Sequence, residues 1–190
     1  MDSKNYLRTQ ARLQRAELAR AVPNFAQRIA AFAEQLDISA NATIAGYWQI
    51  RDEADPRVLM KALAARGAKL ALPRIDAKSA ALSFRAWREG DVLVDNHHGI
   101  AEPRIDAQTV TPDVLLVPLL SFDARSHRLG YGGGYYDRTL DALRAKGKVL
   151  AVGIAYAGQE VPQLPREAND HPLDAIITEA GLRKFTTRPE

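Results

Sequence analysis

The stretch Asp113–Arg138, DVLLVPLLSFDARSHRLGYGGGYYDR, decides how this chain folds. Val114, Leu115, Leu116 and Val117 form an apolar run that Pro118 closes. A run this short, with no polar alternation, suits a strand covered on both faces. A polar loop follows, and then Arg128-Leu129-Gly130-Tyr131-Gly132-Gly133-Gly134-Tyr135-Tyr136-Asp137 leads into a helix. That helix carries Tyr136, Leu140 and Leu143 on one face, with Gly147 as its expected stop. Strand, glycine loop and helix start also outline an anion site. N–H groups at a helix N-terminus are unpaired, the peptide dipoles favour negative charge there, and glycine lets the backbone approach a phosphate closely. No Gly-Lys-Ser/Thr closes the loop, so it is not a Walker A motif, and it lacks the full Gly-x-Gly-x-x-Gly spacing. Two readings stand on the residues alone: a phosphate cradle, or a tight turn laid against the sheet.

Working outward, Thr43 to Trp48, Lys69 to Pro73 and Leu82 to Trp87 read as strands before the central stretch. Val149 to Ile154 and Asp174 to Thr178 read as strands after it. Asp91 to His98 reads as loop or a short strand, and Gln159 to Asp170 is polar and broken by prolines. Ser3 is placed to cap a first helix running to about Ala21, with Pro23 closing it. Asn24 is placed to cap a second, whose stripe is Phe25, Ile29, Phe32, Ala33 and Leu36. Asp55-Pro56 opens a third, with Val58, Leu59, Ala62 and Leu63 buried and Gly67 at its end. Residues after Arg183 read as a frayed basic tail. Helices alternating with short apolar strands predict a mostly parallel sheet covered by helices on both sides. No repeat or low-complexity linker divides the chain, so one domain over residues 1–190 is expected.

The composition narrows the chemistry. Of 190 residues 46% are hydrophobic, enough for a sizeable core. There is no cysteine, which removes disulfides, thiolate catalysis and cysteine-bound zinc. Four histidines are present, and only His97 and His98 are adjacent, so no histidine metal site is expected. No window has the length of a membrane span, and MDSKNYLRTQ has no apolar signal core, so a cytoplasmic protein is expected. The net charge of +3 suits an anionic substrate. No basic run interleaved with aromatics marks nucleic-acid binding. Small-molecule partners are therefore expected, with no membrane or nucleic acid, and a monomer is favoured.

Two further groups of residues carry chemistry. Lys4, Arg8, Arg12 and Arg15 fall at helical spacing on one face of the first helix. For Arg12 and Arg15 the expectation is an ordinary solvated stripe. Trp48 and Glu53 follow the first strand, at the carboxyl end where open α/β sheets collect ligands. A carboxylate can accept two hydrogen bonds from a ligand, and an aromatic can cover a flat ring. Read plainly, Trp48 is equally a core aromatic and Glu53 a loop acid.

RLGYGGGYYDR, preceded by VPLLSFD, resembles the signature of the 5-formyltetrahydrofolate cyclo-ligases, also called methenyltetrahydrofolate synthetases. The resemblance runs from KNYLR at the start to DHPLDAIITE near the end. It implies one three-layer α/β/α sandwich with a mostly parallel, Rossmann-like sheet. It implies ATP-dependent closure of 5-formyltetrahydrofolate to 5,10-methenyltetrahydrofolate, with ADP and phosphate released after the formyl oxygen is phosphorylated. ATP would be the co-substrate and Mg2+ the cofactor. By the same resemblance, Lys4, Asn5, Tyr6, Leu7 and Arg8 contact ATP together with Arg128, Leu129, Gly130, Tyr131, Gly132, Gly133, Gly134, Tyr135 and Tyr136. Trp48, Glu53, Tyr131, Gly132, Gly133, Gly134 and Tyr135 contact the folate. Arg8 and Tyr135 are the catalytic residues, and Asp137 and Asp174 match the metal positions. Asp137 also suits the first turn of a helix on electrostatic grounds, and Tyr136 is expected in the core. Gly99-Ile100-Ala101-Glu102-Pro103 resembles a family turn whose role the sequence does not explain.

This chain departs from some relatives at Tyr131 and Gly133, where they carry basic residues. Leu119 stands where a glycine is common, which would reshape the mouth of the loop. Charge on the phosphoryl group would then rest on Lys4, Arg8, Arg128 and magnesium. Two other classes compete with the ligase. One is a non-catalytic nucleotide-binding module; the other is a sugar-phosphate isomerase or transferase of similar winding. An isomerase calls for an acid/base pair beside the loop, and none stands out.

Overall fold

The computed structural model describes residues 3–96 and 99–185. Seven strands form the main sheet: β1 (Thr43–Ala45), β2 (Lys69–Arg74), β3 (Ser83–Ala86), β6 (Val114–Pro118), β9 (Leu150–Ile154), β10 (Ala175–Thr178) and β11 (Gly181–Lys184). Their spatial order is β11-β10-β9-β6-β1-β2-β3. The five inner strands run parallel, and β3 and β11 close the two edges antiparallel. The expected strand at Leu82–Trp87 is therefore a hairpin partner of β2, and β11 lies in a segment the sequence left without structure. The rest of the expected tail, residues 186–190, lies outside the described residues.

The run Val114–Val117 behaves as its composition requires. Val114 and Leu116 face one side, where they meet Ile29, Leu59, Leu63 and Ile177. Leu115 and Val117 face the other, with Phe84, Leu140 and Ile176. Helices α2 (Phe25–Ala30) and α3 (Arg57–Ala65) cover the first side, and α4 (Tyr135–Arg144) covers the second. Tyr136 is partly buried against that second side. Three layers result, as expected. Helix α1 (Ser3–Ala21) packs on a short 3₁₀ turn at Ala157–Gln159. No helix among the described residues is long and apolar enough to cross a membrane.

Several local expectations are corrected. Ser3 is already helical, so it is not the residue before the helix. The second helix stops at Ala30, because Ala31 and Phe32 bond three residues back, to the carbonyls of Arg28 and Ile29. Phe32 is only partly buried, and Asn24 makes no capping bond with its side chain. In the third helix Met60 is buried, while Val58 and Ala62 are only partly so. Its start is held by Asp55, whose Oδ1 accepts the Arg57 N–H at 3.0 Å. The expected strand to Trp48 ends at Ala45, and the chain then leaves the sheet.

The polar loop after β6 is a small hairpin, β7 (Ser121–Phe122) with β8 (Arg128–Leu129). Buried Asp123 holds its turn, with Oδ1 accepting the N–H groups of Arg125 and His127 at 2.9 and 3.1 Å. A second hairpin, β4 (Leu93–Asp95) with β5 (Ala101–Pro103), stands beside β2. It gives the family-like turn a role. Buried Glu102 accepts from Ile75 N–H at 3.0 Å and Asn96 Nδ2 at 2.6 Å, tying this hairpin to the end of β2.

Candidate active site

Strand β1 pairs with β2 on one side and β6 on the other, so the winding reverses between β1 and β6. A crevice outside the carboxyl ends is expected at such a switch point. One is present: a cleft of about 670 Å³, lined by residues 47–48 after β1, Pro118 at the end of β6, and the glycine loop 130–134. Basic residues of α1 form one wall, and Ile75, Ile100 and Glu102 stand on another.

The loop is built for close approach. Gly132 has φ +99° and Gly134 φ +64°, left-handed values that other residues adopt at a cost. Gly134 is the residue before α4, so the loop delivers its amides to that helix start. A Cβ at Gly132 would stand 3.2 Å from the Arg8 guanidinium carbon. Arg8 donates through Nε to the Gly130 carbonyl at 3.2 Å, and through Nη1 to Asn5 Oδ1 at 2.7 Å. Arg138 fastens the other side, donating to the Gly133 carbonyl at 2.7 Å and lying 5.2 Å from the Tyr135 ring centre. Sequence reasoning did not single out Arg138; its position three residues after Tyr135 on a helix was the available signal.

Opposite the loop, Glu53 is only 4% exposed. Its Oε1 accepts from the Tyr131 hydroxyl, and its Oε2 accepts the Ile50 N–H at 2.9 Å. Burial pushes the Glu53 carboxyl up, and the bonds from Tyr131 and Ile50 and the Arg15 charge pull it partly back. Arg15 donates to Asp52 Oδ2 at 2.8 Å and to the Tyr131 hydroxyl. It is 3% exposed, so the expectation of a solvated Arg15 is wrong. Burial works against its charge, but the bonds to Asp52 and Tyr131 outweigh that and hold the guanidinium above its ordinary value. Arg12 also lines the cleft, 5.9 Å from the Tyr131 ring centre. The helical spacing of the four cations was legible; what they faced was not.

The other expected residues divide. Lys4, Trp48, Leu129, Tyr135, Tyr136 and Asp137 all line the cleft. Trp48 packs edge-on against Trp87 at 6.1 Å, and Arg57 lies 4.8 Å from its ring centre. Asn5, Tyr6 and Leu7 are not on the lining, although Asn5 holds Arg8. Lys4 is paired with Glu167 at 2.9 Å and Asp170 at 3.0 Å. Arg128 lines the cleft but is deeply buried, bonded to Asp137 at 2.5 Å and to the His171 carbonyl. Burial lowers the Arg128 pKa, and Asp137 opposes that. Lys4 and Arg128 are thus neutralised in place. Leu119 is buried in the core on the α4 side and does not shape the mouth of the loop.

Asp174 is not brought to the cleft. Its Oδ2 accepts the Ala151 N–H at 2.7 Å and pairs with Arg144 at 2.9 Å. Ala151 lies beside Leu115, at the amino end of the sheet, so Asp174 anchors the start of β9. Asp137 and Asp174 therefore do not form a joint metal site. Among the described residues no group of three His, Asp or Glu side chains could hold a metal. The adjacent His97 and His98 lie outside the described residues.

The comparisons agree with this arrangement. Residues 1–179 match the model of the 5-formyltetrahydrofolate cyclo-ligase family. The 5-formyltetrahydrofolate cyclo-ligase of Escherichia coli (strain K12) is 38% identical over 141 residues, 72% of this chain and 77% of that protein. The protein of the same name from Mycolicibacterium smegmatis is 32% identical over 185 residues, 93% of each chain. The solved 5,10-methenyltetrahydrofolate synthetase of Aquifex aeolicus superposes with a TM-score of 0.77 at 28% identity, covering 98% of this chain and 95% of that one. A loop, cleft and winding of this kind over nearly the full length leave one assignment: this chain belongs to the 5-formyltetrahydrofolate cyclo-ligase family.

Proposed function

We propose that the protein is a ligase that closes 5-formyltetrahydrofolate to 5,10-methenyltetrahydrofolate with ATP hydrolysis. The observation that carries this is one cleft holding a bare glycine loop on one side and a buried carboxylate, Glu53, on the other. The loop suits phosphate, and the carboxylate suits the donor edge of a pterin. Membership of the family supplies the reaction that joins them. A reaction that consumes ATP fits a cytoplasmic setting.

An amide-type oxygen is a poor leaving group, so the formyl oxygen must be activated. That oxygen attacks the γ-phosphorus, and the bond to the ADP oxygen breaks. Nitrogen 10 then attacks the formyl carbon, its proton passes to solvent, and phosphate leaves with the former formyl oxygen. Such a sequence needs placement and charge neutralisation more than a strong base. Amides of the 130–135 segment hold the phosphates, and Arg8 lies against them. Glu53 and Trp48 hold the ring, and Tyr135 orients the formyl group between them.

Magnesium fits with limits. It takes few carboxylates and keeps several waters. Asp137 Oδ1 is engaged by Arg128 and by the His171 N–H, while no bond to Oδ2 is formed among the described residues. Asp137 is the side chain that would hold the ion. When bound, the ion offsets charge on the phosphates.

The direct test mixes the protein with 5-formyltetrahydrofolate, ATP and magnesium and follows the methenyl absorbance. Product formation with matching ADP release is expected. ATP binding without product under any condition would point to a non-catalytic nucleotide module instead.

A further inference from the structure

Four basic side chains of α1 line the cleft: Lys4, Arg8, Arg12 and Arg15. They are not equivalent. Lys4 sits between Glu167 and Asp170, and Arg15 is buried on Asp52. Arg128, at the base of the loop, is tied to Asp137. The loop residues Gly130, Tyr131, Gly132, Gly133 and Gly134 carry no charge.

Arg8 and Arg12 differ from the others. Arg8 bonds to a carbonyl and an amide oxygen, and neither bond neutralises it. Arg12 is exposed, and among the described residues it pairs with no carboxylate. Among the described residues its guanidinium lies only over the Tyr131 ring, an exposed cation–π contact that is weak beside a bond to phosphate. Residues four apart on a helix stand one above the other. One turn of α1 therefore lays two unneutralised guanidinium groups along the glycine loop, the first at Gly130 and Gly132, the second at Tyr131.

We propose that Arg12 is a second phosphate-binding cation, which leaves the Tyr131 ring to contact the triphosphate and supplies charge that the loop lacks. This rests on reading the loop as the nucleotide cradle. The contact is one of charge at an exposed position, so lysine serves nearly as well there.

The experiment measures ATP–magnesium affinity by calorimetry without folate, and separately the KM for 5-formyltetrahydrofolate. Arg12→Gln is expected to weaken ATP binding about tenfold, to leave the folate KM unchanged, and to melt with the wild type. Arg12→Lys is expected to stay within about threefold of wild type. Arg20→Gln removes the same charge from the exposed far end of α1 and controls for net charge; it is expected to bind ATP normally. Unchanged ATP affinity in Arg12→Gln overturns the proposal. So does equal weakening in Arg12→Lys, which would mark a shape contact, or in Arg20→Gln, which would mark a long-range field. Because binding is read without turnover, a wild-type protein that binds ATP but makes no methenyl product would refute the proposed reaction and leave this result standing.

Discussion

Glu53 is held in a place that disfavours its charge. Its folded pKa lies above the unfolded value, so its contribution to stability is complete below about 4.5 and is lost as pH rises through the folded pKa. The ionised form of Glu53 works against the fold, and the Tyr131 hydroxyl, the Ile50 amide and Arg15 limit that cost. Tyr131→Phe removes the largest of the three interactions that lower the pKa. The pKa of Glu53 then rises further, and the acid limb of folate affinity moves to higher pH. A plot of folate KM against pH that matches wild type would detach Tyr131 from Glu53. Arg15 offers a sharper choice. A solvated arginine could be removed within about 0.5 kcal/mol, whereas removing the partner of a buried charge costs about 3–5 kcal/mol. Arg15→Ala is expected near the larger figure in urea unfolding, together with a raised folate KM. Arg8→Ala is expected to cut turnover at least about tenfold by removing an unneutralised cation from the loop; full activity would take Arg8 out of the site.

At the scale of elements, the glycine loop is the part whose conformation and function coincide. Gly132→Val forces a branched side chain into a left-handed position and against the Arg8 guanidinium. The loop is exposed there, so the rest of the sheet should survive. The expected outcome is ATP affinity lowered by more than about tenfold, with far-UV circular dichroism like wild type. Normal ATP affinity in this variant would reduce the loop to a turn. The elements that sequence reading misjudged share a cause. The β7–β8 hairpin is two residues on each side, too short for any alternation to show, and is held by Asp123 instead of by pattern. β11 went unread because Gly181-Leu182-Arg183-Lys184 is short and carries a cation on each face; only its antiparallel pairing with β10 makes it a strand. Strand β6, apolar and buried on both faces, needed no partner to be recognised.

At the scale of the molecule, one sheet links the two apolar clusters through alternate residues of the same strands. One cooperative unfolding transition is therefore expected. Trp48 lines the cleft and packs on Trp87, so its fluorescence reports the site while circular dichroism reports the sheet. The two denaturant curves are expected to coincide; separated midpoints would divide the chain into independently folding parts. By itself the sequence determined the inner strands, the layer of helices on each face, the bare loop and the spacing of the α1 cations. These follow from local backbone periods of two and 3.6 residues and from the conformational freedom of glycine. Only tertiary structure decided which charge meets which. Lys4 reaches Asp170 across 166 positions, Arg15 reaches Tyr131 across 116, and Asp174 ends on Arg144 at the amino end of the sheet, away from the cleft. No local period encodes such meetings; they depend on how strand order and loop closure bring distant side chains within a few ångströms, where burial turns a pairing into a strong interaction.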